Sequence, residues 1–317
     1  MFIEGKTMKE KVILNLNKII YTLITIASIE LSIVSTMMLF NTLFDESIVA
    51  SQPVDKIVKK QKVIPPVPAL TLMREIQPKT LDDVLIEISP SSNRDVVSIE
   101  TTLVKPIIYK NSIKLSTLSI AEKKKTFIDM MIPSILVAKY RISKDRKKVG
   151  ELLQKEKLLP KESLWLKKKK YIFRASSYSD LHDKMELHPT SIIIAQAIIE
   201  SGWGTSRFFE EANNVFGIWS FNEYEGRIAA SEKRGKNSIY LKKYTSVEQS
   251  IFDYFIMLST KNAYEEFREK RLESKDPFQL VEYLGKYSEL GEEYVDNLKN
   301  TIKKNKLMIY DSYHLDI

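Results

Sequence analysis

The hydrophobic pattern begins with a continuous apolar stretch, changes to short runs broken by prolines, and ends in segments with helical periodicity. The apolar stretch, residues 19–40, reads IIYTLITIASIELSIVSTMMLF and holds one charge, Glu30. Its length suits a membrane-spanning helix, and its isoleucines and leucines offset the roughly 2.5–3.5 kcal/mol that a carboxylate costs at mid-bilayer. The sequence therefore predicts a transmembrane anchor within residues 1–44.

Charges on either side of this stretch predict its orientation. Four lysines precede it, and Asp45 and Glu46 follow it, so the positive-inside rule places the N-terminus in the cytoplasm. We expect a single-pass protein of the inner (cytoplasmic) membrane, with the remaining chain in the periplasm or outside. A cleaved signal peptide is the alternative, but the apolar region of such a peptide usually spans only about 7–15 residues.

Residues 45–114 carry prolines between short β-branched runs such as VVSIETTLV. Proline removes a backbone donor, and this composition is typical of an extended linker with a strand or two. We interpret the region as a spacer, with a small protein-binding module as the alternative.

From about residue 115 the pattern becomes helical, which predicts a mainly α domain over residues 115–317. Two long helices are predicted over about 120–137 and 143–158, and a short one after Tyr178 that Ser179 or Asp180 would cap. Further helices are predicted from a capping box at Ser246 and from Asp276 and Pro277. The last predicted helix has Val295, Leu298 and Ile302 on its buried stripe. Between Asn222 and Tyr244, glycines punctuate alternating runs, which predicts a small β-hairpin lobe. The expected fold class is thus α+β with few strands.

The most apolar of these helices precedes Glu200. Pro189 suits its first turn, and the residues from Ile192 to Ile199 leave little polar surface, so we expect a buried helix. Glu200 follows at the C-terminal end, where the helix dipole and apolar surroundings both oppose ionisation. A carboxyl that stays protonated near neutral pH can give its proton to a leaving oxygen, as glycoside hydrolysis requires. The alternative is a solvent-facing glutamate on a core helix that Gly202 caps.

Two blocks around this glutamate, AQAIIESGWGTSRF and NNVFGIW, resemble the glucosaminidase domain of glycoside hydrolase family 73, and its Bax-like branch in particular. YTSVEQSIFDYFIMLSTKNAYEEFREKR and YSELGEEYVDNLKNTI continue the similarity, and IAEKKKTFIDMMIPSILVAKYRIS resembles the leading helix of that branch. The resemblance covers about residue 115 to the C-terminus. It implies a lysozyme-like catalytic domain, peptidoglycan glycan strands as the partner, and Glu200 as the general acid.

The resemblance also implies further site residues. A second carboxylate is expected in the hairpin lobe, where the candidates are Glu223, Glu225 and Glu232. Bax-like sequences have a proline-arginine-rich turn and then an acid where this chain has residues 229–233 and then Tyr240. Substrate-binding positions are implied for Ser201, Trp203, Asn214, Phe216, Gly217, Trp219, Tyr264, Tyr287 and Tyr294. Ordinary alternatives are turn formation for the asparagine and core packing for the tyrosines.

Composition narrows the class of partner. The net charge of +8 and the pI near 9.2 suit an anionic polymer. Lysine runs at 123–125 and 167–170 lack interleaved aromatics and any nucleic-acid motif, so we interpret them as solvated faces and expect no nucleic acid. Cysteine is absent and the three histidines lack metal-site spacing, so we expect no metal and no cofactor.

The function predicted at this point is that of an endo-β-N-acetylglucosaminidase cleaving β-1,4 bonds of peptidoglycan. A lytic transglycosylase or muramidase is one alternative, because transglycosylases also use a Glu-Ser pair at the end of a helix. A non-catalytic cell-wall-binding scaffold on the same fold is the other. Anhydro ends among the products would identify a transglycosylase, and wall binding without release of reducing ends would identify a scaffold.

Overall fold

A computed structural model of the protein describes residues 80–234 and 237–317, without the side chains of residues 231–238. The predicted anchor at residues 19–40 and the first part of the predicted spacer, residues 45–79, lie outside the described residues. Within the described part, no helix is both long enough and apolar enough to cross a bilayer.

The described residues form a mainly helical unit with small two-stranded sheets, in agreement with the predicted fold class. The α-helices are α1 (Leu81–Val84), α2 (Ile120–Leu153), α3 (Pro160–Ile172), α4 (Tyr178–Lys184), α5 (Thr190–Ser201), α6 (Arg207–Ala212), α7 (Val247–Thr260), α8 (Glu265–Glu273), α9 (Pro277–Val281) and α10 (Glu292–Lys304). The strands are β1 (Ile86–Ile88), β2 (Leu103–Val104), β3 (Ile107–Tyr109), β4 (Arg227–Arg234), β5 (Asn237–Lys242) and β6 (His314–Leu315). Short 3₁₀ turns lie at Asn93–Asp95, Leu115–Thr117, Asn262–Tyr264, Glu282–Tyr287 and Leu307–Ser312.

Residues 80–114 belong to this folded unit, which corrects the spacer interpretation for that part of the region. Strand β1 pairs in parallel with β3, and β2 pairs in parallel with β6 at the C-terminal end of the chain. Ile107, Ile108 and Tyr109 of β3 are at most 3% exposed, and β3 packs on α2. The prolines led to the wrong interpretation because strands of only two or three residues fit between them. The folded domain therefore begins before residue 115.

The longest helix, α2, runs without interruption over 34 residues, where the pattern predicted two separate helices. Pro133 lies inside it and is buried, and the helix continues past the proline. At the N-terminus, Ser119 Oγ donates to the Glu122 carboxylate at 2.6 Å and accepts from the Glu122 backbone N–H at 3.4 Å, a capping box. Because α5, α7 and β3 all pack on α2, this helix is the support on which the centre of the domain is built.

Helix α5 is the buried helix that the pattern predicted. Every side chain from Thr190 to Ile198 is at most 5% exposed. Its N-terminus is held by Asp311 of the last 3₁₀ turn, whose carboxylate accepts from Ser191 N at 2.8 Å and from Ser191 Oγ at 2.7 Å. Gly202 ends the helix in the left-handed region, with φ of 58°. With both ends fixed, the position of Glu200, the penultimate residue of α5, is fixed as well.

Other predicted elements are found close to where the sequence placed them. Strands β4 and β5 form the predicted antiparallel hairpin. Ser246 and Asp276 cap α7 and α9, as predicted. Ser177, instead of Ser179 or Asp180, caps α4. The hairpin and α7 bring two further parts of the chain towards the end of α5, which is where the cleft described below lies.

A chain that begins at Leu115 should be markedly less stable than one that begins at Thr80. Its loss of β1 to β3 removes several buried apolar side chains, each worth about 1.5–3 kcal/mol, from a domain whose total stability is about 5–15 kcal/mol. We expect the longer chain to melt in one cooperative transition by circular dichroism, and the shorter one to melt more than about 10 °C lower or not to fold. Equal melting temperatures would restore the spacer interpretation of residues 80–114.

Candidate active site

A cleft of about 1190 Å³ opens at the C-terminal end of α5. Glu200 lines it together with the turn that follows α6 and with side chains from α3, β5 and α7. Besides aliphatic side chains, its lining includes the aromatic residues Tyr171, Tyr178, Phe216, Trp219, Phe221, Tyr264 and Tyr287, and the cationic residues Lys167, Lys170, Arg174, Lys242 and Lys261. Such a cleft suits a ligand that offers flat apolar faces and negative charge.

Glu200 is half-buried at the end of α5, with its carboxyl in the cleft wall. Burial raises its pKa above the usual value, and the hydrogen bond that Oε1 accepts from the Tyr294 hydroxyl, at 2.8 Å, opposes that rise in part. The carbonyl end of the helix dipole acts in the same direction as burial. The structure thus places a carboxyl with a raised pKa where a ligand can reach it, as the sequence pattern indicated.

Three tyrosines form a stack beside this carboxyl. Tyr287 lies parallel to Tyr294, with ring centroids 5.6 Å apart and an interplanar angle of 3°, and Tyr264 is tilted against Tyr287 at 6.0 Å. Tyr264 and Tyr287 line the cleft, whereas Tyr294 is buried behind Glu200. Burial raises the pKa of Tyr264 to about 12, so its hydroxyl keeps its proton and remains a hydrogen-bond donor. Tyr264 and Tyr287 thus lie where a substrate could touch them, whereas Tyr294 contacts Glu200 from the core and does not line the cleft, in contrast to its implied role in binding substrate.

The turn after α6 supplies one edge of the cleft, and it contains Phe216, Gly217 and Trp219 as the resemblance implied. Phe216 stacks on the buried Tyr254, with centroids 4.2 Å apart and an interplanar angle of 20°. Gly217 has φ of 65°, a conformation that a side chain would strain. Trp219 is 41% exposed, and its ring lies 6.1 Å from that of Phe221. The exposed indole therefore gives the cleft an aromatic rim.

Ser201 and Trp203 do not line the cleft, in contrast to their implied role in binding substrate. The Ser201 hydroxyl is buried and donates to the Ala197 carbonyl at 2.6 Å, so it closes the last turn of α5. The Trp203 ring meets Phe127 edge-on at 5.9 Å, and the Lys124 ammonium lies 4.6 Å from its centroid. Trp203 lines a separate cavity of about 330 Å³ with residues of α2 and the C-terminal segment. Both residues act in packing rather than at the cleft.

Asn214 stabilises a turn, which is the alternative to its implied role in binding substrate. Its Nδ2 donates to the carbonyls of Ile218 and Lys242 at 3.0 and 2.9 Å, and its Oδ1 accepts from Ile218 N at 3.0 Å. These bonds hold the cleft-edge turn closed and tie it to β5. The preceding Asn213, in the left-handed region, accepts from Ser112 N at 2.8 Å and so joins the turn to the N-terminal segment.

The hairpin glutamates do not supply a second carboxylate to the cleft in the described part of the chain. Glu223 is exposed, and neither Glu223 nor Glu225 is part of the cleft lining. Glu225 Oε1 accepts from Ser220 Oγ at 2.7 Å, and its Oε2 lies 3.7 Å from Lys242 Nζ. The side chain of Glu232 lies outside the described residues. The prediction that one of them acts beside Glu200 therefore has no support from the positions of Glu223 and Glu225.

Asp253 of α7 is the other acid in the cleft lining, and the sequence pattern did not single it out. Its Oδ2 accepts from Lys242 Nζ at 2.9 Å and from the Tyr244 hydroxyl at 2.7 Å. The signal was present as the one acid in the otherwise apolar segment SIFDYFIML. Within the described residues, no group of three histidine, aspartate or glutamate side chains has an arrangement that could hold a metal ion.

The lysine run of α3 is not simply a solvated face. Lys167 and Lys170 line the cleft, and Arg174 follows them just after the helix. Lys169 instead pairs with Asp145 of α2 and anchors the helix. One side of the cleft is therefore cationic, which the interpretation of the run as a solvated surface did not predict.

The part of the chain that holds this cleft is similar in sequence to known proteins. Residues 175–307 match the family model Glucosaminidase, described as mannosyl-glycoprotein endo-beta-N-acetylglucosaminidase. Protein bax of Escherichia coli (strain K12) is 27% identical over 221 residues, which cover 63% of this chain and 78% of that protein. The range that matches the family model, residues 175–307, includes Glu200, Asp253 and the tyrosine stack, whereas the lysines of α3 precede it.

Two further proteins are similar over shorter stretches or in structure. Exo-glucosaminidase LytG of Bacillus subtilis (strain 168) is 36% identical over 81 residues, which cover 23% of this chain and 28% of that protein. The catalytic domain of the autolysin Auto from Listeria monocytogenes is 20% identical, with a TM-score of 0.34, and the match covers 53% of this chain and 97% of that domain.

Replacing Trp203 and Trp219 one at a time should separate the cleft from the packing site. Trp219→Ala removes an exposed aromatic face, and a loss of about 1.4 kcal/mol would raise the apparent Kd for purified glycan strands about tenfold. Trp203→Ala should leave that Kd unchanged and lower the free energy of unfolding by up to about 3 kcal/mol. Co-sedimentation and urea unfolding measure the two effects. A weaker affinity for glycan in Trp203→Ala would show that Trp203 does take part in binding substrate.

Proposed function

We propose that this chain is a peptidoglycan hydrolase that cleaves the N-acetylglucosaminyl β-1,4 bond. The premise is that its residues 175–307 match the glucosaminidase family model. The similarity to exo-glucosaminidase LytG and the resemblance to the Bax-like branch both support this proposal. The observation that carries it is the raised pKa of Glu200 in the wall of a cleft with aromatic and cationic sides.

Glu200 is assigned the role of general acid. A glycosidic oxygen leaves as an alkoxide unless it is protonated, and a carboxyl with a raised pKa holds that proton at neutral pH. Glu200 lies on the last turn of the buried helix α5 rather than on a loop, so the packing of the core fixes its position relative to a bound glycan. The aromatic rim would hold sugar faces while the proton is transferred.

The second role in the reaction is open to two candidates. Asp253 is a carboxylate of the cleft wall, and its bonds to Lys242 and Tyr244 hold it in one orientation. A carboxylate held there could activate water or stabilise a developing positive charge on the sugar. The alternative is that the acetamido group of the substrate itself assists, in which case Asp253 serves only to join β5 to α7.

The cationic side of the cleft supports a charged glycan rather than a neutral one. Peptidoglycan strands carry lactyl and peptide carboxyl groups, whereas a polymer of N-acetylglucosamine alone carries none. Lys167, Lys170 and Arg174 are positioned along the cleft to attract such groups. This feature favours peptidoglycan as the substrate among the glycans that a glucosaminidase domain could bind.

Glu200→Gln is the direct test of this proposal. The amide keeps the shape of the side chain and has no proton to give, so we expect a loss of about 10²–10⁴-fold in release of reducing ends from purified peptidoglycan. The rate of the unchanged protein should fall as pH rises through the raised pKa of Glu200, because only the protonated form acts. Mass spectrometry of the products should show N-acetylglucosamine at the reducing ends. A variant that keeps more than about a tenth of the activity would contradict the assignment.

Matched amide variants at the other acids serve as controls in the same assay. Asp253→Asn should cost nearly as much as Glu200→Gln if this carboxylate acts in the reaction, and little if the acetamido group does. Glu223→Gln and Glu225→Gln should be mild, because neither side chain lines the cleft. Anhydro ends among the products would favour the transglycosylase alternative, and wall binding without any release of reducing ends would favour the scaffold.

We further propose that residues 19–40 anchor the protein in the cytoplasmic membrane, with the catalytic domain outside. The support is the apolar stretch and the lysines before it. A tag at the N-terminus should resist external protease in spheroplasts, whereas a tag after Ile317 should be cut. The reverse pattern would contradict this orientation, and release of a shortened soluble protein would favour a cleaved signal peptide.

A further inference from the structure

A chain of four hydrogen bonds leads from the core of the domain to Glu200. It begins at His188, whose Nε2 lies 3.0 Å from the Tyr254 hydroxyl oxygen. The Tyr254 hydroxyl donates to Gln196 Oε1 at 2.6 Å, and Gln196 Nε2 donates to the Tyr294 hydroxyl at 3.1 Å. The Tyr294 hydroxyl then donates to Glu200 Oε1 at 2.8 Å. These five residues are called the Gln196 chain below.

Each hydrogen bond in the Gln196 chain points towards Glu200. A tyrosine hydroxyl has one proton, so Tyr294, which donates to Glu200, must accept from Gln196. Tyr254 gives its proton to Gln196 and must therefore accept from the ring N–H of His188. His188 Nδ1 is buried without a partner in the described part of the chain, which fits a neutral ring whose proton is on Nε2. Burial lowers the pKa of His188 well below its usual value, so the ring stays neutral.

Burial removes the other ways in which these groups could be satisfied. Gln196 and Tyr254 are 0% exposed, and His188 and Tyr294 are 2% exposed. Water does not compete for such groups, and reversing one bond would leave two donors or two acceptors facing each other at a cost of about 1–3 kcal/mol. The direction of the chain is therefore a property of the folded core.

We infer that the Gln196 chain keeps the acidic proton of Glu200 on Oε2, and that Gln196, Tyr254 and His188 are positioning residues for the reaction. This inference rests on the proposed role of Glu200 as general acid. Oε1 accepts from Tyr294, and the carbonyl oxygen of a neutral carboxyl is its better acceptor, so the acid holds its own proton on the other oxygen. Oε2 makes no hydrogen bond in the described part of the chain, so that proton is free for a ligand in the cleft. No proton passes along the chain, which only sets directions.

The orientation of the Gln196 amide determines which oxygen of Glu200, Oε1 or Oε2, carries the proton. If the amide turned over, its carbonyl would take the proton of Tyr294, and the Tyr294 oxygen would become an acceptor for the proton of Glu200. That proton would then be held on Oε1, facing the core rather than the cleft. Tyr254 prevents this because its hydroxyl donates to the amide oxygen and holds it away from Tyr294.

Tyr254→Phe tests the inference without touching the cleft surface. The ring that supports Phe216 is kept, while the Gln196 amide loses the donor that holds it. We expect kcat on peptidoglycan to fall about tenfold or more with KM within about twofold. The alkaline limb of the pH profile should move to higher pH, because the Tyr294 hydrogen bond that lowers the pKa of Glu200 is lost in the turned-over state.

Tyr109→Phe is the matched control. Tyr109 is also fully buried, and among the described residues its hydroxyl makes one hydrogen bond, which it accepts from Val97 N at 3.0 Å in the N-terminal segment. The control should keep kcat and the pH profile of the unchanged protein. Gln196→Glu provides a second variant: its carboxylate accepts from both tyrosines and should draw the Tyr294 proton away from Glu200, giving the same fall in kcat and the same direction of pH shift.

The outcomes separate this inference from the proposed function. An alkaline limb that stays in place in both Tyr254→Phe and Gln196→Glu, while Glu200→Gln is inactive, overturns the positioning role and leaves the general acid intact. Activity in Glu200→Gln overturns the proposed function itself. Thermal melting of each variant shows whether it is folded, and a fall in kcat with an unshifted limb counts against the inference as a merely structural effect.

Discussion

The structure depends on how it accommodates one ionisable carboxyl, that of Glu200, at the end of the buried helix α5. Desolvation and the helix dipole both favour the neutral form of Glu200, and an unsatisfied buried acid would cost the fold about 1–3 kcal/mol. The bond from Tyr294 satisfies one oxygen. A single donor relieves part of that cost without restoring the ordinary pKa. The same geometry thus makes the carboxyl tolerable to the fold and keeps it in its acidic form.

Long-range contacts surround this helix end and hold it still. Asp311, from the last turn of the chain, caps the N-terminus of α5. Asn213 joins the cleft-edge turn to Ser112, about a hundred residues earlier in the chain. The pairing of β2 with β6 joins the segment before α2 to the C-terminal segment, beside α2. Residues 80–114 and the C-terminal segment therefore act on the site through the core, by restricting where α5 can lie.

The helices and the acid at the end of α5 could be predicted because each left a local signal: an apolar period, a capping residue, a glycine after the last turn. Positions that depend on the path of the chain could not. Strands of two or three residues between prolines have no period to detect, so residues 80–114 were interpreted as a spacer. Asp253 was missed because an acid on an amphipathic helix is ordinarily a solvated residue, and only the neighbouring β5 turns its face into a cleft wall.

Trp203 and Trp219 show most clearly why residues of neighbouring motifs take different roles. Gly202, Trp203 and Gly204 all have positive φ, of 58°, 60° and 75°, so the chain reverses sharply at the end of α5. A side chain at position 204 would meet Leu115 at 2.7 Å and Phe127 at 2.8 Å. The glycine there is required for close packing against α2 and not for the approach of a ligand. This reversal carries the Trp203 ring to the α2 side, and the chain returns to the cleft only after α6, where Asn214 closes the turn that presents Trp219. The positions of Glu200 and of the aromatic rim thus depend on backbone turns. The direction of these turns depends on packing contacts that no single sequence motif predicts.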